Sequence, residues 1–115
     1  MMRDLFDADH FLDSVVQDRE LAVDLVEAFI EDCPERLAEL TEALAEGDAD
    51  RGRKLAHSLK GMCGVVRAGV LSRLALEMES AAQKGDLDGV RERMGMFTEG
   101  LARVMALMED FRKHG

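Results

Sequence analysis

Apolar residues recur every three or four positions along almost the whole chain, and this spacing limits the fold more than any other sequence feature. A repeat of about 3.6 residues places side chains on one face of an α-helix, whereas a strand requires strict alternation. Residues with high helix propensity dominate, the chain has one proline, and it has neither Tyr nor Trp. The sequence therefore predicts an all-α protein.

Capping residues divide the first half of the pattern into a short helix and a long one. We expect the first helix to run from about Asp9 to Val16, and Asp18 to cap the second helix. The second helix should continue through Pro34 with a kink, because its apolar stripe keeps the same phase there, and should end at Gly47. That stripe comprises Ala22, Leu25, Phe29, Cys33, Leu37, Leu40 and Leu44.

The second half contains three further helices. The third should run from about Ala49 to Val66 after an Asp48 cap, and the fourth should end at Lys84-Gly85. The fourth is marked by Leu71, Leu74, Ala75, Met78 and Ala82; the fifth, capped by Asp86, is marked by Val90, Met94, Phe97, Leu101, Val104, Met108 and Phe111. Short connections favour antiparallel neighbours. We therefore predict an antiparallel up-down four-helix bundle with a short extra N-terminal helix, in one domain over 1–115 with a flexible tail at 1–7.

Length and charge exclude several classes of function. A chain of 115 residues has room for one domain, so it should not be a self-contained kinase with a separate nucleotide-binding domain. The net charge of -9 opposes general binding to nucleic acid or to anionic membranes. Cys33 and Cys63 have no metal or redox spacing, so we interpret them as buried thiols. No apolar run reaches a membrane span, and we expect a cytoplasmic monomer.

The third helix carries the candidate site. Leu55, Leu59, Met62 and Val66 define its buried face, and His57 lies almost opposite them. Gly61 and Gly64 follow on the same side as His57, although each interior glycine lowers helix stability by about 1 kcal/mol relative to alanine. A side chain at Gly61 would lean back over the imidazole, so the glycine leaves the ring accessible. The alternative is that the two glycines permit close helix packing.

Basic residues surround this histidine. Between Asp48 and Arg67 the helix has five basic residues and two acidic ones, a balance of 5 - 2 = +3 in an acidic chain. An accessible imidazole among cations is suited to accepting a phosphoryl group, because positioning and charge stabilisation supply most of the catalysis of this transfer. Lys60 is placed to neutralise phosphate oxygens, and Ser58 could add a hydrogen bond.

The segment from Ala56 to Gly61, AHSLKG, resembles the histidine-containing phosphotransfer (HPt) domains of bacterial phosphorelays. The resemblance continues through Gly64 and Leu71 to LEME at 76–79 and KGD at 84–86, and includes the acidic second helix, so it spans nearly the whole chain. It implies that His57 is the phosphorylated residue and that Lys60 and Gly61 flank the phosphate. The family usually carries a glycine ahead of Ala68, whereas this chain has Arg67.

The resemblance implies a phosphocarrier without an ATP site of its own. Its donor and acceptor would be aspartyl phosphates on receiver domains, which bring the Mg²⁺, so we expect no cofactor or metal on this chain. We expect the partner to contact Arg53, Lys54, Ser58, Gly64 and Arg67. One alternative is an adaptor bundle that binds a partner through the same face without chemistry. A metal-carrying bundle is the other, but the Glu-x-x-His pairs of such sites do not occur.

Overall fold

The computed structural model describes residues 5–114, which form five α-helices and no strands. The helices are α1 (Ala8–Ser14), α2 (Arg19–Ala45), α3 (Ala49–Val65), α4 (Gly69–Gln83) and α5 (Leu87–His114). The prediction of an all-α fold is confirmed. The second helix is continuous through Pro34, as its apolar phase predicts.

Aspartates begin four of the five described helices, because a carboxylate before the first turn accepts N–H groups that lack an intrahelical partner; α4 begins after Ala68 without a side-chain cap. Asp18 accepts from the backbone N–H of Leu21 at 3.0 Å, and Asp48 and Asp86 make the equivalent bonds in α3 and α5. These three caps were predicted. A fourth, Asp7, begins α1 by accepting from the backbone N–H of His10.

Three helices end in the same tight turn. Gly47 and Gly85 have positive φ angles of 71° and 76°, and the next residue donates its N–H to the carbonyl five positions back. Arg67 closes α3 in the same way, with φ 60° and a 2.9 Å bond from the Ala68 N–H to the Cys63 carbonyl. The turn into α4 therefore keeps the shape that glycine gives the other two turns.

The four longer helices form a closed bundle. Helix α2 contacts α3 and α5, and α4 contacts the same two helices, so the buried faces of all four meet in one core. Most of the predicted stripe residues are buried, including Cys33 and Cys63, which are free thiols. Ala56 is also fully buried, whereas Met62 is only half-buried, so the buried face of α3 is rotated slightly from the predicted one.

The N-terminal segment differs from its prediction in two ways. Helix α1 ends at Ser14, and Val16 lies beyond it with φ 56° and 88% of its surface exposed. The expected flexible tail over 1–7 is wrong at Phe6, which is 5% exposed and packs against Phe11 and Phe111. A single aromatic residue near a terminus carries no periodic signal, so its burial could not be read from the sequence. Residues 1–4 lie outside the described part of the chain.

None of the helices between residues 5 and 114 is long and apolar enough to cross a membrane.

Candidate functional site

His57 lies on the outward side of α3, where 62% of its side chain is exposed. Its neighbours Leu55, Ala56 and Leu59 are buried, so the helical repeat directs them to the core and the imidazole away from it. The predicted exposure of the ring is confirmed. The chain therefore presents an imidazole that an external group can reach.

Glu79 on α4 contacts His57 and Lys60 together. Its Oε2 lies 2.9 Å from Nδ1 of His57, and its Oε1 lies 3.2 Å from Nζ of Lys60. The carboxylate side chain is only 17% exposed, because α4 packs directly against α3. Glu79 belongs to the LEME segment, but no role for it was predicted. The sequence signal for such a role is its place beside the stripe of Ala75, Met78 and Ala82, at the edge of the core.

Charge partners control the ionisation of this carboxylate. Partial burial raises the pKa of Glu79, but hydrogen bonds from Lys60 and then from His57 outweigh that effect and leave the pKa below its ordinary value. Glu79 is therefore an anion at neutral pH. One carboxylate thus orients both the imidazole and the ammonium group.

Gly61 and Gly64 lie on the exposed side of α3 beyond His57. Apart from chain neighbours and the helix's own backbone, no described atom lies within 4 Å of the position that a Cβ would take at either glycine. The alternative that these glycines permit close helix packing is therefore wrong. By contrast, a Cβ at Gly100 on α5 would approach Leu71 to 2.9 Å, as expected of a packing glycine.

The basic residues before His57 are paired within the protein. Arg53 and Lys54 both contact Asp50, at 3.4 Å and 3.2 Å, and these contacts lower the pKa of Asp50, with the Lys54 hydrogen bond as the largest cause. Arg51 contacts Glu42 and Glu46 at the end of α2. The positive balance counted along α3 is therefore partly neutralised by acidic neighbours.

Ser58 lies on the side of α3 that faces α2, where its hydroxyl accepts a hydrogen bond from Arg36. The structure thus engages this hydroxyl with a neighbouring helix. Arg36 also contacts Glu39 on its own helix at 3.9 Å. No local sequence pattern relates Arg36 to Ser58, because the two residues lie on different helices.

A surface groove of about 1120 Å³ continues from the site toward the far end of α3. Lys60 and Gly64 line the end of the groove near His57, and Arg67 and Arg73 line it further along. We call it the α3–α5 groove, because its lining extends from α3 across α4 to Met96 and Arg103 of α5. It brings Gly64 and Arg67, two of the predicted partner residues, onto one surface with Lys60.

Within residues 5–114, no cluster of three or more His, Cys, Asp or Glu side chains could hold a metal ion. His10 and His114 are both exposed on other helices, at the two ends of the chain. The site consists of an imidazole, an ammonium group and the carboxylate that joins them.

Comparison with known proteins agrees with this geometry. The sequence matches the family described as Hpt domain over residues 24–112. The fold matches the crystal structure of histidine-containing phosphotransfer protein B (HptB) from Pseudomonas aeruginosa PAO1, with a TM-score of 0.86 and 30% identity over 93% of this chain and 94% of that one. No curated protein sequence matches significantly. A bundle of this topology, whose sequence matches the family over most of its length, belongs to the histidine-containing phosphotransfer (Hpt) family.

Proposed function

We propose that this Hpt protein accepts a phosphoryl group on Nε2 of His57 from a receiver-domain aspartate and passes it to a second receiver aspartate. The observation that carries the proposal is the contact of Nδ1 with Glu79 on a ring that is otherwise exposed. A neutral imidazole that donates Nδ1–H to a carboxylate has its lone pair on Nε2. The contact with Glu79 therefore leaves Nε2 as the nucleophile.

The transfer needs no proton to move. The Nε2 lone pair forms the new N–P bond while the P–O bond to the receiver carboxylate breaks, and that carboxylate leaves with the electron pair. The phosphorylated ring keeps its Nδ1 proton and becomes positively charged. Glu79 stabilises this charge through its 2.9 Å contact, in the manner of a carboxylate that supports a catalytic imidazole.

Lys60 and Gly61 assist the same step in different ways. Lys60 lies one turn beyond His57 and is partly exposed, so its ammonium group can turn toward the phosphate oxygens without leaving Glu79 entirely. Gly61 keeps the approach to Nε2 open, since a side chain at this position would lean toward the ring. The receiver supplies Mg²⁺ and the aspartate, and this chain acts as an intermediate without an ATP site of its own.

A contact with the receiver is better supported for some of the remaining predicted partner residues than for others. Gly64 and Arg67 lie on the continuous surface that extends from Lys60 into the α3–α5 groove, where a receiver bound at His57 can reach them. Arg53 and Lys54 can contribute only by exchanging their contacts with Asp50 for contacts with the partner. Ser58 contributes least to this proposal, because Arg36 holds its hydroxyl.

Incubation with receiver domains phosphorylated by acetyl phosphate and Mg²⁺ tests the proposal. The expected product carries phosphate on His57 alone, as a base-stable and acid-labile phosphoramidate located by peptide mapping. His57→Gln should abolish labelling and leave the melting temperature nearly unchanged, because the ring is outside the core. His114→Gln is the matched control and should label normally, because His114 is exposed away from the α3–α5 groove. Label that persisted in His57→Gln would contradict the assignment, and binding of a receiver without any transfer would favour the adaptor alternative.

A further inference from the structure

Arg67 occupies a backbone conformation that does not suit an arginine. Its φ of 60° lies in the left-handed region, where a residue with a Cβ is less stable than glycine. Gly47 and Gly85 occupy the same position in the two matching turns. Glycine at position 67 would make the same turn with less strain, so the stability of the turn does not account for the arginine.

The side chain of Arg67 is also unpaired within the protein. Arg67 and Arg73 are exposed, and neither guanidinium group makes a hydrogen bond or ion pair with any residue in the described range 5–114. Every other arginine in that range contacts an acidic side chain, a hydroxyl group or a backbone carbonyl. Arg67 and Arg73 are therefore the two described arginines whose guanidinium groups have no such partner, and both lie on one surface of a chain with a net charge of -9.

Both arginines line the α3–α5 groove, whose near end includes Lys60. Arg67 follows His57 by ten residues, which is about 15 Å along a helix, so its side chain does not reach a phosphoryl group on His57. A typical protein interface buries about 800 Å² on each partner, equivalent to a patch of about 16 Å radius. A patch of this size centred on His57 extends to the distance at which Arg67 lies, without placing Arg67 at the chemistry.

We propose that Arg67, supported by Arg73, is a docking residue that binds acidic side chains on the receiver domain and distinguishes between receivers. The inference rests on the proposed function, because the receiver reaches this surface only when it is bound at His57. Charge complementarity indicates that the partner surface at this position is acidic. Two arginines without internal partners favour carboxylates, and an interface charge chiefly affects association and specificity.

The test measures phosphotransfer from a panel of purified receiver domains, each phosphorylated with acetyl phosphate and Mg²⁺, to the wild type and to Arg67→Gly. For the preferred receiver at low salt, the variant should raise KM about three- to fivefold with little change in kcat, the size expected for an exposed charge pair. The difference should shrink at high salt, and Arg67→Lys should recover part of it. The preference among receivers should also become weaker.

Val16→Gly is the matched control. Val16 has φ 56° in the turn after α1 and carries no charge, so both glycine variants should raise the melting temperature by relieving the same strain. Only Arg67→Gly should change transfer. Wild-type kinetics of Arg67→Gly with every receiver would overturn the docking role, as would a fall in kcat at unchanged KM. Failure of the wild type to accept phosphate from any receiver would instead contradict the proposed function and remove the basis of this inference.

Discussion

The Nδ1 atom of His57 and the Oε2 atom of Glu79 lie 2.9 Å apart, although 22 residues separate them in the sequence. The same carboxylate lies 3.2 Å from Nζ of Lys60, so one side chain of α4 positions two side chains of α3. This arrangement fixes which imidazole nitrogen faces the partner. It also couples the orientation of the proposed nucleophile, His57, to Lys60, the cation that we propose neutralises phosphate.

Replacing Glu79 by Gln should keep an acceptor for Nδ1–H but remove the negative charge opposite the phosphorylated ring. We expect single-turnover transfer to fall about tenfold, corresponding to about 1.4 kcal/mol of lost charge stabilisation. Glu79→Ala should be slower still, because the ring then loses its orientation. Rapid-quench kinetics and ¹⁵N NMR of the imidazole tautomer measure the two effects. Equal rates for wild type and Glu79→Ala would show that the carboxylate does not assist transfer.

Lys60→Ala should slow transfer at least about tenfold without abolishing it, because a charge-assisted contact to phosphate contributes about 1.5 to 3 kcal/mol. Stability should change little, since the side chain is partly exposed and its single ion pair is weak. The measurement is the transfer rate at low and high salt beside the melting temperature. Lys84→Ala, which removes an exposed cation at the end of α4, provides the control. An unchanged rate at both salt concentrations would exclude a phosphate-neutralising role for Lys60.

Gly61→Gln should raise stability and lower the transfer rate. The open space around Gly61 means that the new side chain displaces nothing, so helix propensity should add up to about 1 kcal/mol. The glutamine would lean over His57 and obstruct the receiver. Thermal unfolding and transfer kinetics on the same preparation test both effects.

Gly95→Gln on α5 is the control for this variant, because Gly95 also has open space within its helix. It should gain similar stability and transfer normally. A Gly61→Gln protein that gained stability and still transferred at the wild-type rate would show that the glycine does not serve access to the ring.

Acid should remove the stabilisation that Glu79 provides. The folded pKa of Glu79 lies below its ordinary value of about 4.5, so its contribution is fully present above that pH and disappears as the pH falls through the folded pKa. Wild type should therefore exceed Glu79→Gln in stability by up to about 1 kcal/mol at pH 7, and the difference should vanish well below pH 4. Denaturant unfolding of both proteins across this range measures it. A difference that stayed constant down to pH 3 would contradict an ionised Glu79.

The α3–α5 groove and the site were only partly accessible to sequence reasoning. The exposure of His57 followed from helical periodicity, since the same repeat that buries Leu55 and Leu59 directs position 57 outward. The groove could not be predicted in this way. Arg67 lies in the turn after α3 and Arg73 lies on α4, and only the fold of that turn brings both residues to one surface. The left-handed φ of Arg67 could not be predicted either, because an arginine does not indicate this conformation as a glycine does.

The sequence by itself determined the helices, their caps and the outward direction of His57, because these depend on a 3.6-residue repeat and on hydrogen bonds within a few residues. Asp18, Asp48 and Asp86 begin helices for this local reason. Only the tertiary structure decided that Glu79 holds the imidazole, because a contact across two helices depends on their relative rotation and offset. Those are fixed by the packing of the whole core, and no local pattern specifies them.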